Sequence, residues 1–290
     1  MCGIAGLFSK SPAVEERLGE HLAAMLGQLS DRGPDSAGVA FYRDPAPAGS
    51  VKLSLYAADD GYDWGGLASA LGAGEPEVRA SHAVIVAPAG AEDRLPPGLR
   101  VMSAGERIEI FKEMGSPRAF AERFGLHSIR GTHALGHTRM ATESRVTTEH
   151  SHPFSTGLDL CLVHNGSLSN HNALRRELRR EGIVFETDND TEVAAGYLTW
   201  RLREGASLEG ALEGCLDDLD GFYTFAVGTA DGFAVLRDPI ACKPAVMAET
   251  DDWVAMASEY RAIAVLPGAQ DAQVWEPEPA KVYVWERERV

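Results

Sequence analysis

The chain has no basic stripe. Its 27 lysines and arginines stand against 43 aspartates and glutamates, a formal net charge of -16 at pH 7. A phosphate backbone or an anionic membrane needs a cationic surface, so neither is an expected partner. No apolar run can span a bilayer: the longest weakly polar stretch, AVIVAPAGA at 83–91, is short and broken by Pro88. No basic region with a long apolar segment and a small-residue cleavage site opens the sequence, and no lipobox-like segment precedes Cys2. Cysteine is scarce, and the four present, Cys2, Cys161, Cys215 and Cys242, show neither the density nor the pairing of a secreted disulfide framework. There is no repeat at a solenoid period, no low-complexity tail and no long charge block. The expectation is a soluble, cytoplasmic protein with reduced thiols and a small-molecule ligand.

Cofactor motifs are missing as well. There is no Walker A loop, and LGAGEPE lacks both the third glycine and the preceding strand of a dinucleotide fingerprint, so this chain is expected to bind no nucleotide or flavin itself. His133 and His137 sit four apart and His150 and His152 flank a serine, but without an HExxH or CxxC companion no metal site is expected. ETDNDTEV is acidic, yet it lacks the glycine and distal glutamate of a calcium loop.

What is present suits a large core: 290 residues, 44% hydrophobic and 24% charged. CGIAGLF reads as a strand buried on both faces, followed by a helix over Val14 to Leu29 and a strand at VAFY. Residues 43–130 are rich in Pro, Gly and Ala connectors between short strands at VKLSLY, HAVIVA and RIEIF and a helix at RAFAERF. They read as an elaborated insertion in one domain spanning 2–290. Beyond them, LCLVHNG reads as a strand ending in a turn, NALRRELRREG and DTEVAAGYLTWRLREG as helices stopped by Gly182 and Gly205, and FYTFAVG, GFAVLRD, AVMAE and WVAMAS as successive strands of one antiparallel sheet. Strands on both sides of two helices suggest two packed sheets covered by helices, an α+β fold.

Four elements carry chemistry. Removal of Met1 would leave Cys2 with a free α-amine, whose reference pKa of about 7.7–8.0 lets it accept a thiol proton near 8.5 directly or through water. Cys2 is then either a nucleophile with its own base or a core cysteine at a strand start. Asn165-Gly166 in LVHNGS is either a tight turn or a pair of N–H donors converging on one oxygen. Arg139, in the polar and turn-prone GHTRMATE, is either a surface ion-pair residue or a bidentate carboxylate clamp. Asp190 in ETDNDTEV is a helix N-cap, an anionic partner for an ammonium group, or both. Together they describe a site for the side-chain carbonyl of a free α-amino acid.

In this order along the chain, MCGIAGLF, DRGPDSAG, GHTRMAT with SHPF, LVHNG, DTEV and ASE closely resemble the class II glutamine amidotransferases, members of the N-terminal nucleophile hydrolases. The likeness runs from Cys2 to about Arg261. It implies a four-layer αββα sandwich of two antiparallel sheets and hydrolysis of L-glutamine to glutamate and ammonia. It also implies Cys2 as nucleophile and base, Asn165 and Gly166 as oxyanion hole, and Arg139 and Asp190 as clamps on the glutamine carboxylate and ammonium. Thr142 and His152 resemble supporting residues of the loop over the substrate. Departures are Met140 and Glu143 where many members have an aromatic and a histidine, and RDPIACKP, with Ala241 and Lys243 in the glycine and arginine places of RDPxGxRP. They bear on loop closure and ammonia hand-off more than on glutamine binding.

The 43–130 insertion and the RDPIACKP variant look most like the separate glutaminase subunit of glutamate-synthase-like systems, including N-methylglutamate synthase. Since the sequence ends soon after the glutaminase core, a synthase subunit in a hetero-oligomer is expected to receive the nitrogen and to carry any flavin or iron–sulfur centre. Two rivals remain at this point: γ-glutamyl transfer to an amine such as methylamine, and a non-catalytic glutamine-sensing subunit, which would need the clamps but not the nucleophile.

Overall fold

The strand Gly3–Ser9 is buried along its whole length, and in the computed structural model, which describes residues 2–140 and 146–287, it lies inside a seven-stranded antiparallel sheet. The spatial order is Gln273–Trp275, Val246–Glu249, Trp253–Ala257, Gly3–Ser9, His133–Arg139, Ser36–Tyr42 and Ile108–Met114. A second sheet runs Val282–Glu286, Gly232–Arg237, Gly221–Gly228, Cys161–Leu168, with the last strand at its edge, bridged at Leu162 to Phe154.

Side-chain alternation sorts the core into layers. Ile4, Leu135, Ile110, Val163 and Phe233 fill the space between the two sheets. Ala5, Leu7, Val39 and Phe111 face the other way, against the helices Leu18–Gln28 and Pro117–Arg123. Behind the second sheet, Leu162, Phe225 and Leu236 pack on the helices His171–Arg180, Asp190–Arg203 and Leu208–Asp218. The result is the four-layer αββα sandwich of the N-terminal nucleophile hydrolases.

Several expectations need correction. Among the described residues there are three sheets, because within the 43–130 segment Glu77–Arg79, His82–Pro88, Ser50–Tyr56 and Arg100–Gly105 form a sheet of their own over the helix Trp64–Leu71. RIEIF and RAFAERF belong instead to the sandwich. The added sheet is tied to it by Glu109, whose buried carboxylate receives Lys52 Nζ and Arg43 Nη1, each at 2.9 Å. The four strands after the helices divide between the two main sheets, and RDPIACKP is the crossing between them. The first helix is two, Pro12–Glu16 and Leu18–Gln28, because the N–H of Gly19 turns out to Ile129 O at 3.0 Å and the helix meets the Leu126 carbonyl too closely there for any side chain. Finally, the GHTR of the turn-prone GHTRMATE ends a fully buried strand, His133–Arg139. His137 and Thr138 read as loop, but a central position with partners for each, such as Thr138 Oγ1 to Leu29 O at 3.3 Å, overrides that. Among the described residues no helix is long and apolar enough to cross a membrane.

Candidate active site

Strand register sets the site. Gly3 pairs with Thr138, which brings Cys2 beside Arg139 at the ends of two neighbouring strands. Cys2 is half-buried, with Sγ 3.7 Å from Met140 O. Its carbonyl accepts from Arg32 Nε at 3.0 Å and from Asn165 Nδ2 at 3.2 Å. Arg32 is held in turn by Glu259 at 2.6 Å, and the neighbouring Ser258 Oγ receives both Ile4 N at 2.9 Å and Asn165 Nδ2 at 3.1 Å. Arg32, Ser258 and Glu259 were not singled out from the sequence, although their motifs, DRGPDSAG and ASE, carried the signal. Gly33 lets that loop press on the strand: a Cβ there would lie 2.4 Å from Arg139 N. Burial pushes the Cys161 thiol up to about 12 and raises that of Cys215, so neither is a ready nucleophile near neutral pH.

The Asn165-Gly166 pair is not a turn, because its strand continues to Leu168 and both residues are paired, Asn165 with Thr224 and Gly166 with Tyr223. Gly166 has φ +152°, and a Cβ on it would lie 2.0 Å from Phe222 O, so only glycine fits. Arg139 ends its strand with its side chain buried on the face that looks between the sheets. Asp190 is the first helical residue, and the N-cap is Asn189, whose side chain accepts from Thr191 N at 2.8 Å. Asp190 Oδ2 instead accepts from Leu168 N at 2.9 Å, which fixes it to the strand carrying Asn165. His152 is buried, with its ring between His137 and Thr191. Thr142, Glu143 and Met1 lie outside the described residues.

Below Asn165 lie three buried histidines. Burial pushes the His137 imidazole down to about 3 and holds that of His152 well below its usual range. Burial also lowers His164, against the pull of the Asp190 carboxylate, 3.8 Å from its Nδ1. The loop bearing His152 is pinned by Lys112, whose Nζ donates to the carbonyls of Glu149, Ser151 and Pro153 at 3.0–3.3 Å and whose ammonium burial pushes down to about 8. Lys112 also lines a separate cavity of about 380 Å³ with Arg100, Ser103 and Glu192, away from Cys2. Among the described residues no cluster of three or more His, Cys, Asp or Glu is arranged to hold a metal.

A four-layer αββα sandwich with a cysteine beside the end of its first strand defines an N-terminal nucleophile hydrolase. Comparison with known proteins narrows this. The glutamine amidotransferase domain family matches residues 137–265. The glutamine amidotransferase-like protein GlxB of Rhizobium meliloti is 55% identical over all of this chain and 99% of its own. A protein of Methanothermobacter thermautotrophicus assigned to the glutamine amidotransferases is 34% identical over 98% of this chain and 99% of its own. The glutamine phosphoribosylpyrophosphate amidotransferase of B. subtilis superposes with a TM-score of 0.62 at 21% identity over 98% of this chain, which spans 47% of that enzyme. The chain belongs to the class II glutamine amidotransferase family, whose enzymes use an N-terminal cysteine.

Proposed function

We propose that the chain hydrolyses L-glutamine as the glutaminase subunit of a glutamate-synthase-like hetero-oligomer. The observation that carries this reading is the Asn165 carboxamide on the Cys2 carbonyl at 3.2 Å, which aims an amide donor at the nucleophile from the opposite sheet. With Met1 removed, the thiol proton of Cys2 passes to its own α-amine as sulfur attacks the side-chain carbonyl carbon of glutamine. The carbonyl π electrons move to oxygen, where the Asn165 amide and the Gly166 N–H receive the negative charge. The Asn165 protons are shared with Cys2 O and Ser258 Oγ, so binding the oxyanion exchanges one of these partners. Collapse breaks the C–N bond, the amine returns the proton, and ammonia leaves a thioester. Water adds to the thioester and releases glutamate.

In this reading Arg139 clamps the substrate carboxylate, Asp190 its ammonium, and Thr142 and His152 support the site. The nitrogen passes to a synthase subunit, and any flavin or iron–sulfur centre belongs to that partner. The test is glutamine hydrolysis by the protein with and without its partner: Cys2→Ala abolishes turnover while calorimetry still registers glutamine binding. Hydrolysis that survives Cys2→Ala overturns the reading.

A further inference from the structure

The strand Cys161–Leu168 ends its sheet, and consecutive residues on it face opposite ways. Asn165 looks between the sheets toward Cys2, while His164 looks back toward the helix Asp190–Arg203, its ring edge-on to Phe225. The two side chains are nevertheless joined around the outer edge of the strand, beyond its bridge to Phe154. Asn165 Oδ1 lies 3.1 Å from His137 Nε2, and His137 Nδ1 lies 3.2 Å from His152 Nδ1. His152 Nε2 lies 2.7 Å from Thr191 Oγ1, which lies 3.0 Å from His164 Nδ1. The peptide from His164 to Asn165 closes the ring.

We propose that His137, His152, Thr191 and His164 are positioning residues that hold the Asn165 carboxamide in one orientation through a ring of hydrogen bonds running in a single direction. This rests on Asn165 being the oxyanion donor. The direction follows from donor and acceptor inventory. Cys2 O can only accept, so the Asn165 nitrogen faces it and Oδ1 faces His137. His137 Nε2 then meets two acceptors, Asn165 Oδ1 and, at 3.2 Å, His164 O, so it carries the proton. A neutral ring leaves His137 Nδ1 as acceptor, and His152 Nδ1 must donate to it. His152 Nε2 is therefore an acceptor and takes the Thr191 hydroxyl proton. Asp190 Oδ1, at 3.5 Å from that hydroxyl, is the poorer competitor. Thr191 Oγ1 in turn accepts from His164 Nδ1–H. What remains is one bare acceptor, His164 Nε2, buried, with no hydrogen-bond partner among the described residues, and 2.7 Å from where a Gly166 Cβ would stand. A bare acceptor is the better tolerated end for such a chain, since an orphaned N–H is the rarer case in proteins.

Turning Asn165 over would set Oδ1 against Cys2 O and reverse every proton in the ring. The low folded-state basicity of His137 and His152 keeps both rings neutral near pH 7, as the ordering requires. The donor is thus oriented before substrate arrives, the condition under which an oxyanion contact is most effective.

The test uses the full chain with nitrogen-15-labelled histidine and long-range proton–nitrogen NMR, together with glutaminase kinetics. The expected tautomers are Nε2–H on His137 and Nδ1–H on His152 and His164. Thr191→Val should scramble the His152 and His164 tautomers and lower kcat about tenfold with KM nearly unchanged, a fraction of the effect of losing the donor itself. Thr191→Ser should restore both. Nδ1–H on His137 in the unsubstituted protein overturns the ring, and so does scrambling in Thr191→Val with kcat unaltered. A rise in KM alone also overturns it, because it assigns Thr191 to the placement of Asp190. If the unsubstituted protein shows the expected tautomers but no glutamine hydrolysis even with its partner present, the ring stands and the catalytic reading falls.

Discussion

The Asn165 side-chain amide donates to the Cys2 carbonyl across 3.2 Å, although 163 positions separate them in the chain. One residue immediately precedes an inner strand of the seven-stranded sheet and the other sits on the edge strand of the sheet facing it, so the site exists only once the two sheets have packed. Asn165→Ala removes a donor needed most in the transition state. The expected result is a fall in kcat of about 10²–10³ with a small change in KM, read by steady-state glutaminase assay.

Arg139 should behave in the opposite way. It is buried beside Cys2, and a guanidinium clamped on a carboxylate acts in the ground state as well as in the transition state. Arg139→Ala is expected to weaken glutamine binding by roughly 10- to 100-fold, the equivalent of about 1.5–3 kcal/mol for a charge-assisted hydrogen bond. A variant that keeps its KM refutes the clamp.

Acid should destabilise the fold before its carboxylates titrate. Burial pushes His82, His133 and His137 down to about 3 from an ordinary 6.5. Above that ordinary value neither the folded nor the unfolded chain is protonated at these positions, and they add no pH dependence. Below it the unfolded chain binds protons that the folded chain refuses. Stability therefore falls as pH falls, by about 1.4 kcal/mol per unit for each histidine, until the folded values are reached. Relief of self-repulsion in a chain of net charge -16 works against this loss. The urea midpoint at about pH 5 should still lie below that at about pH 7, and a flat profile contradicts neutral burial of these rings.

The crossing segment RDPIACKP contains a small flaw with a defined repair. Ala241 sits at φ +50°, the left-handed region, in the place where the resemblance expects glycine. Its carbonyl is held by Arg237 Nη2 at 2.5 Å, so the segment cannot relax away from that angle without losing the bond. Ala241→Gly removes a conformational cost of about 1–2 kcal/mol while loosening the unfolded chain by about 0.4–1 kcal/mol. A net gain of about 0–1.6 kcal/mol in urea unfolding is expected, and a loss of stability contradicts the strain.

Legibility in the sequence followed locality. Apolar strands such as CGIAGLF and GFAVLRD carry their own signal, and the ordered short motifs point to the layered fold and to the neighbourhood of Cys2, Arg139 and Asn165. Arg139 belongs to GHTRMATE, whose polarity suggests a turn, and polarity is a poor guide when the buried groups of a strand find partners. VKLSLY and HAVIVA are legible as strands, but the sheet they join is set by long-range pairing with each other and with Arg100–Gly105, and the tie through Glu109 to Lys52 and Arg43 leaves no local signal. The ring around His164 could not be read from spacing at all, since His137, His152 and Thr191 come together only through packing.

The central claim is that Cys2 is the reactive N-terminal residue, and intact-mass measurement before and after exposure to diazo-oxo-norleucine tests it most directly. The account predicts a protein lacking one methionine that gains a single adduct on Cys2. Retention of Met1, or no adduct on folded protein with its partner present, contradicts it.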